Sequence, residues 1–314
     1  VNEKKLTDEV KKQFLKNNIK IYPNSEIVGF LNKMKESESI LVDTQLCNQT
    51  IYDAINGKII QGNSIPKFLK AIKNGTEIGH IHDVMKKDGA ALANTFYWLE
   101  QCLSSGQKIN EVDVARKLAE HRSQQKFYQG ESFGAIIGYN ENGAIIHYHP
   151  EPETCKTIKP EGILLVDSGG QYSDGTTDIT RTFTLSQPTE EQVKAYTLIL
   201  KGMIALSMAK FPEGTTGGQL DTLARQFLWA EGMNYGHGTG HGVGFFLNVH
   251  EPPQEFTPLS SERSRTVQQP GMLTSNETGY YKEGGFGMRI ENLIITVKSE
   301  KPGFLEFETV TLYP

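Results

Sequence analysis

Cysteine is scarce in this 314-residue chain: Cys47, Cys102 and Cys155 stand far apart, and no C-x-x-C pair occurs. That argues against a disulfide scaffold and a thiolate zinc site, and the three read as free thiols in a reducing compartment, the cytoplasm. Long apolar runs are also missing. No stretch reaches the roughly 18 apolar residues of a membrane span, so no membrane partner is expected. There is no long basic run either, and 32 basic against 37 acidic residues give a net charge of -5, which argues against nucleic acid as a partner. The N-terminus, VNEKKLTDEV, is charged and unlike a signal peptide. It lacks an initiating Met, so a fragment or a processed chain is expected. Asn48-Gln49-Thr50 and Asn276-Glu277-Thr278 fit the glycosylation sequon and, with no secretory signal, read as chance.

What is present suits a globular protein of about two domains. Thr7 caps a short predicted helix over 7–18, IKIYP (19–23) is strand-like, 26–35 is helical and SILVD (39–43) reads as a buried strand. A further strand-like run at KIIQG and a helix through Phe68 and Ile72 complete an α/β pattern. About 75 residues is small for such a domain, so these look like the end of a larger one. KNGTEIG (73–79) is the expected boundary, dividing the chain into 1–75 and 76–314. Beyond it come a helix with Leu92, Phe96, Leu99 and Leu103 on one stripe, and another opened by an Asn110-x-x-Asp113 capping box. SFGAIIGY and AIIHYHP suggest a hairpin around residues 140–143. Helices follow over 189–211, with a Thr189-x-x-Gln192 box, and over 218–232, before a Gly-rich region of strand and loop. The order suggests two related α/β halves.

Three stretches carry chemistry. In VDSGGQYSDGTTDITRTF (166–183), two strand-like runs joined by a turn would bring Asp167 and Asp178 together, and like charges that close call for a cation between them. Two solvent-facing aspartates are the bland alternative. Residues 236–252 hold His237, His241 and His250, and five glycines in 236–244 rule out a stable helix, so the backbone there passes close to something. In 272–297, Glu277 precedes a predicted turn, and Glu291 interrupts an apolar strand with Arg289 two residues before it. A charge on a buried strand is costly unless paired or bound to metal; an exposed Arg289–Glu291 pair on an edge strand is the alternative. Asp167, Asp178, His241, Glu277 and Glu291 together carry four negative charges, which two divalent cations would balance. Oxygen ligation with one imidazole suits Mn²⁺, Co²⁺, Fe²⁺ or Mg²⁺ better than a thiolate zinc site.

GAIIHY (143–148), the 166–183 stretch, HGTGHGVGFFLNVHE (237–251), GMLTSNETGYY (271–281) and GGFGMRIEN (284–292) resemble the aminopeptidase P (Xaa-Pro aminopeptidase) group of pita-bread metallopeptidases, in particular the three-domain cytosolic type. The resemblance covers about 76–314. It implies an α/β (α+β) pita-bread catalytic domain, preceded by the C-terminal part of a creatinase N-terminal-like α/β domain. The implied activity is removal of an N-terminal residue that precedes proline, through a hydroxide bridging two metals, with Mn²⁺ the first choice and Co²⁺, Fe²⁺ or Zn²⁺ as alternatives. Proline-containing peptides would be the substrates, and the full-length protein would be a homodimer. Asp167 would bind one metal through both oxygens, Asp178 and Glu291 would bridge the two, and His241 and Glu277 would complete the second site. His147, His237 and His250 would bind the carbonyl, stabilise the oxyanion and move protons. Glu277 would also shuttle a proton, and Arg289 would orient a ligand carboxylate.

The chain departs from the family pattern in having Thr278 where Glu-Pro-Gly-Tyr is usual, which predicts a looser loop at Glu277. By the same resemblance the first domain is expected to be missing, and the chain to stop at Pro314 short of a segment that helps dimerisation in the larger members. The alternatives are a prolidase acting on free Xaa-Pro dipeptides, a methionine aminopeptidase, a metal-free creatinase-like hydrolase, and a non-catalytic peptide-binding module of the same fold. The presence of all five ligand residues disfavours the last two.

Overall fold

The computed structural model describes residues 1–259 and 261–314. The chain divides into two compact units, Val1–Phe68 and Leu69–Pro314.

The first unit opens with α1 (Asp8–Lys16), capped by the Thr7 side chain, and α2 (Ile27–Asn32). β1 (Ser39–Val42), α3 (Gln49–Asp53) and β2 (Lys58–Gln61) form a small β-α-β unit whose strands pair in parallel. The 19–23 stretch is not a strand. β1 is also less buried than its sequence suggests: only Val42 is fully covered, and Leu41 is 41% exposed. The apolar, β-branched composition gave the strand but not the packing, because one short neighbouring strand covers little of it. α4 (Ile65–Ala71) follows.

The second unit begins with α5 (Gly75–Ser104). Asn74 and Glu77 form a capping box, so the stretch expected as the boundary holds the capped start of a 30-residue helix. β3 (Ile109–Asn110) leads into α6 (Glu111–Ser123), where the predicted Asn110–Asp113 box is present. The strands that follow are β4 (Tyr128–Glu131), β5 (Ile136–Tyr139), β6 (Thr157–Ile158), β7 (Ile163–Ser168), β8 (Gly170–Tyr172), β9 (Gly175–Thr176) and β10 (Ile179–Thr184). Antiparallel order β10–β7–β5 makes the first sheet, with Leu92, Phe96 and Leu99 of α5 and Val114 and Leu118 of α6 packed on Ile137, Leu164 and Val166. The second half repeats the plan. α7 (Glu190–Ser207), β11 (Lys210–Pro212), α8 (Gly217–Trp229), β12 (Gly240–His241) and β13 (Glu255–Phe256) precede a sheet of order β11–β16–β15–β14, made with β14 (Leu273–Lys282), β15 (Phe286–Lys298) and β16 (Phe304–Thr309). Ala195, Ile199 and Met203 of α7 and Leu228 of α8 pack with Met288 and Ile290 of β15. Among the described residues, no helix is long and apolar enough to cross a membrane.

The two sheets meet through side chains. The Thr182 hydroxyl of β10 donates to the Arg289 carbonyl of β15 (2.9 Å) and accepts from the Arg289 N–H (3.1 Å), standing in for a strand backbone. Arg181 adds a bond from Nη1 to the Glu291 carbonyl at 2.6 Å.

The hairpin expected around 140–143 is absent. β5 pairs with β7, and Asn140–Ala144 is a 3-10 turn. Glu111, fully buried at the start of α6, explains this. Its carboxylate accepts from Tyr139 N (2.7 Å), Asn142 Nδ2 (2.9 Å), Tyr148 Oη (2.8 Å) and Lys156 N (2.8 Å), drawing in the segment that would have formed the second strand.

Arg122, at 0% exposure, is the hub beneath the first sheet. It donates to Asp88 Oδ1 (2.8 Å), Glu131 Oε2 (2.8 Å) and Ser168 Oγ (3.1 Å). Removing it strands two carboxylates. Arg122→Met should therefore lower unfolding free energy by about 3–5 kcal/mol in urea titration, and a loss under about 1 kcal/mol would contradict the hub role.

Candidate metal centre

Asp167 is the penultimate residue of the fully buried β7, opposite Thr180 of β10 in register, and Asp178 lies just before β10. Both are buried, at 7% and 4% exposure, so the solvent-facing alternative does not hold. Glu277 lies in the middle of β14 and not before a turn. Its register partner on β15 is Glu291, so two carboxylates stand directly across an antiparallel pair. β15 is an interior strand and Arg289 and Glu291 are 2% and 1% exposed, which overturns the edge-strand alternative. Arg289 does not pair with Glu291. It donates from Nη2 to Asp167 Oδ2 at 2.6 Å and from Nη1 to Tyr281 Oη at 2.6 Å.

The Gly-rich stretch is tight against its own chain. A Cβ at Gly240 would lie 1.8 Å from the Ser275 carbonyl of β14, and one at Gly242 would lie 2.1 Å from the Glu251 carbonyl. This close approach presses His241 into the carboxylate cluster. Its Nε2 is 3.4 Å from Asp178 Oδ2 and 3.4 Å from Glu277 Oε1, while Nδ1 faces the Gly242 carbonyl at 3.0 Å. Nδ1 therefore carries a proton and Nε2 points at the carboxylates, as a metal-ligating imidazole does. Asp178, His241 and Glu291 each offer a ligand atom within 4.8 Å of the others. Glu277 joins this group through His241. Asp167 lines the same cavity, and its other oxygen, Oδ1, is buried without a hydrogen-bond partner. The donor set, the confinement and that orphaned oxygen fit divalent cations.

His147, His237 and His250 line the same cavity of about 440 Å³. The His241 and His250 rings are 4.0 Å apart between centroids. His237 Nδ1 faces the Gly238 carbonyl (2.7 Å) and Nε2 faces Tyr281 Oη (2.8 Å), so Tyr281 donates to His237 and accepts from Arg289. Sequence reading missed Tyr281. The glycine two residues before it was the available signal: a Cβ at Gly279 would lie 2.5 Å from the Tyr281 hydroxyl. Thr278 does not loosen its surroundings. It is buried in β14 and donates from Oγ1 to the Ile199 carbonyl of α7 at 2.8 Å. Asn276, at 0% exposure, donates to the Met203 carbonyl, so the folded chain cannot be glycosylated there.

Two family models match the chain: metallopeptidase family M24 over residues 69–298, and the creatinase/prolidase N-terminal domain over residues 1–77. The chain belongs to metallopeptidase family M24, and its fold is the pita-bread fold with a creatinase N-terminal domain. It is 40% identical over 336 residues to a probable Xaa-Pro aminopeptidase P of Coprinopsis cinerea, covering 100% of this chain and 54% of that protein. It is 50% identical over 252 residues to one of Tuber melanosporum, covering 78% and 40%. The X-prolyl aminopeptidase of Caenorhabditis elegans, described as a cytosolic enzyme with a di-nuclear active site, superposes with a TM-score of 0.93 at 34% identity, over 100% of this chain and 52% of that one. An Xaa-Pro dipeptidase from Bacillus anthracis superposes at 0.78 with 25% identity, over 98% and 82%. The chain spans about half the length of the curated relatives it matches.

Without cations, the cluster takes up protons. Burial, then the charge of Asp167, pushes Asp178 up to about 6. Burial pushes Glu277 up to about 7, and burial with Asp178 carries Glu291 well above the carboxylate range. Burial opposes the charge on His241, but Asp178 and Glu277 outweigh it and raise that group to about 9. His237 falls to about 3, mainly through burial and then Arg289. His250 is open to the cavity yet crowded enough that desolvation, then His241, lowers it to about 4. A group with a raised folded pKa keeps a proton the unfolded chain has released, so its contribution to stability is lost as pH rises through that value. His237 and His250 act in the opposite sense, but only below the ordinary histidine value of about 6.5. The metal-stripped chain should therefore melt at falling temperature from about pH 6.5 to 8, and Mn²⁺ should raise the Tm most at the upper end. A Tm that holds or climbs over that window would contradict the site description.

Proposed function

We propose that this chain carries the catalytic domain of an Xaa-Pro aminopeptidase, which hydrolyses the bond between an N-terminal residue and a following proline. The observation that carries the proposal is the Glu277–Glu291 register pair, with Asp178 and His241 around it in a cavity also lined by His147, His237 and His250. The likeness to proteins named probable Xaa-Pro aminopeptidase P supports the substrate class.

In this reading Asp167, Asp178, His241, Glu277 and Glu291 would hold two divalent cations, Mn²⁺ before Co²⁺, Fe²⁺ or Zn²⁺, which supply an acidified water and Lewis-acid polarisation of the peptide carbonyl. Asp178 and Glu291, which lie in one cluster with His241, would be the carboxylates shared between the two cations. Arg289 orients the Asp167 carboxylate and, through Tyr281, the His237 ring. His237 and His250 are neutral at pH 7, so neither brings a positive charge to the cations, and His250 has the more open ring for contact with substrate. Together with His147 they bind the carbonyl, stabilise the oxyanion and pass the proton to the departing proline nitrogen. Glu277 shuttles a proton in addition to being a ligand. A cytoplasmic location is supported by the three free cysteines and by the C. elegans enzyme's description. A homodimer of the full-length protein rests on the family resemblance alone.

The full-length protein, stripped with chelator and given Mn²⁺, should release arginine from Arg-Pro-Pro in preference to free Arg-Pro. Preference for the dipeptide would make it a prolidase, and cleavage of neither would defeat the peptidase reading. Asp178→Ala and Glu291→Ala should each reduce turnover to background, and near-normal turnover in either would overturn the bridging assignment. His250→Ala should cut kcat about 10²–10⁴-fold with metal content intact, and metal loss in that variant would show its role to be wrong.

A further inference from the structure

The loop between His241 and His250 closes on itself at a narrow neck. Glu251 N–H donates to the Gly242 carbonyl at 2.7 Å, and Gly242 N–H donates to the Gln254 carbonyl at 2.9 Å. Against this neck lie charges that the proposed hydrolysis does not use. Lys73 is 3% exposed and donates from Nζ to the Val243 carbonyl, two residues past His241, at 2.6 Å. Its Nζ is 3.9 Å from Glu251 Oε2. Lys70 Nζ approaches Glu251 Oε1 at 2.9 Å, at an angle too poor for a hydrogen bond. Glu251 is itself 3% exposed, and neither of its oxygens accepts a hydrogen bond.

Lys73 is well placed to hold the loop because its own backbone is fixed. Its N–H donates to the Gly271 carbonyl at 2.9 Å, and Ile72 bridges Met272, immediately before the strand that carries Glu277. A buried ion pair is a poor source of stability, since an apolar side chain of similar volume would avoid the desolvation. The cost is visible here: burial, outweighing the attraction of Glu251, lowers Lys73 to about 8. Retaining a charge in this place calls for a purpose other than packing.

We propose that Lys73 is a positioning residue for His241: its ammonium tethers the Val243 carbonyl and so holds the imidazole against Asp178 and Glu277, with Glu251 as the buried counter-charge. The tether rests on the reading of His241 as a metal ligand. It acts from outside the cavity and touches neither substrate nor cation.

Three variants of the full-length protein separate tether from charge balance: Lys73→Met, Glu251→Gln and the double variant. Each is titrated with Mn²⁺ by calorimetry and melted without metal. Lys73→Met loses both the tether and the counter-charge, Glu251→Gln keeps the tether, and the double variant restores charge balance without it. Mn²⁺ affinity should fall about tenfold or more in Lys73→Met and in the double variant, and stay near wild type in Glu251→Gln. The Tm of the double variant should recover relative to Lys73→Met. If affinity recovers along with Tm, or if Lys73→Met binds as wild type does, Lys73 is a counter-charge only and the tether is refuted. A wild-type protein that binds no Mn²⁺ would defeat the ligand reading itself, which is a separate failure.

Discussion

Two glutamates facing each other across a hydrogen-bonded strand pair dominate this molecule. Glu277 and Glu291 are register partners on adjacent strands, and Asp178 approaches Glu291 from the neighbouring sheet. Like charges so placed repel, and burial strengthens the repulsion. The nearby Arg289 relieves it only in part, because its hydrogen bonds go to Asp167 and Tyr281. Protons relieve it in the metal-free chain, and the elevated carboxyl pKa values are the sign of that. Divalent cations relieve it without neutralising the ligands, and the two-metal proposal follows from that difference.

Much of the remaining structure holds these groups in place. Arg122 ties Ser168, next to Asp167, to Asp88 and Glu131. Arg225 of α8 bonds Asp221 and the Tyr235 and His237 carbonyls, and Thr239 donates to the same aspartate. Glu111 fixes the segment that presents His147. Each network is a buried charge with its polar partners satisfied, an arrangement that adds little net stability but fixes orientation.

The residues proposed as ligands were legible because their chemistry conflicts with their surroundings. Glu291 in an apolar strand and Asp167 at the end of LLVD are charges where propensity favours carbon, and the glycines of 236–244 forbid a helix. Their geometry was less legible. Glu277 read as preceding a turn because Thr278 and Gly279 follow it, whereas pairing along the whole of β14 overrides those local preferences. The 140–143 hairpin failed for a non-local reason, the capture of that segment by Glu111 from another helix. Capping boxes at Asn110 and Thr189 were found because a cap is a local interaction. Tyr281, Lys73 and Glu251 escaped notice because each acts through a partner distant in sequence.

The most direct test is a crystal structure of the Mn²⁺-loaded protein, with anomalous diffraction used to count and place the ions. Two peaks a few ångströms apart are predicted, both within coordination distance of Asp178 and Glu291, with His241 Nε2 on one of them. A single peak, or Mn²⁺ bound away from the Glu277–Glu291 pair, would contradict the two-metal centre.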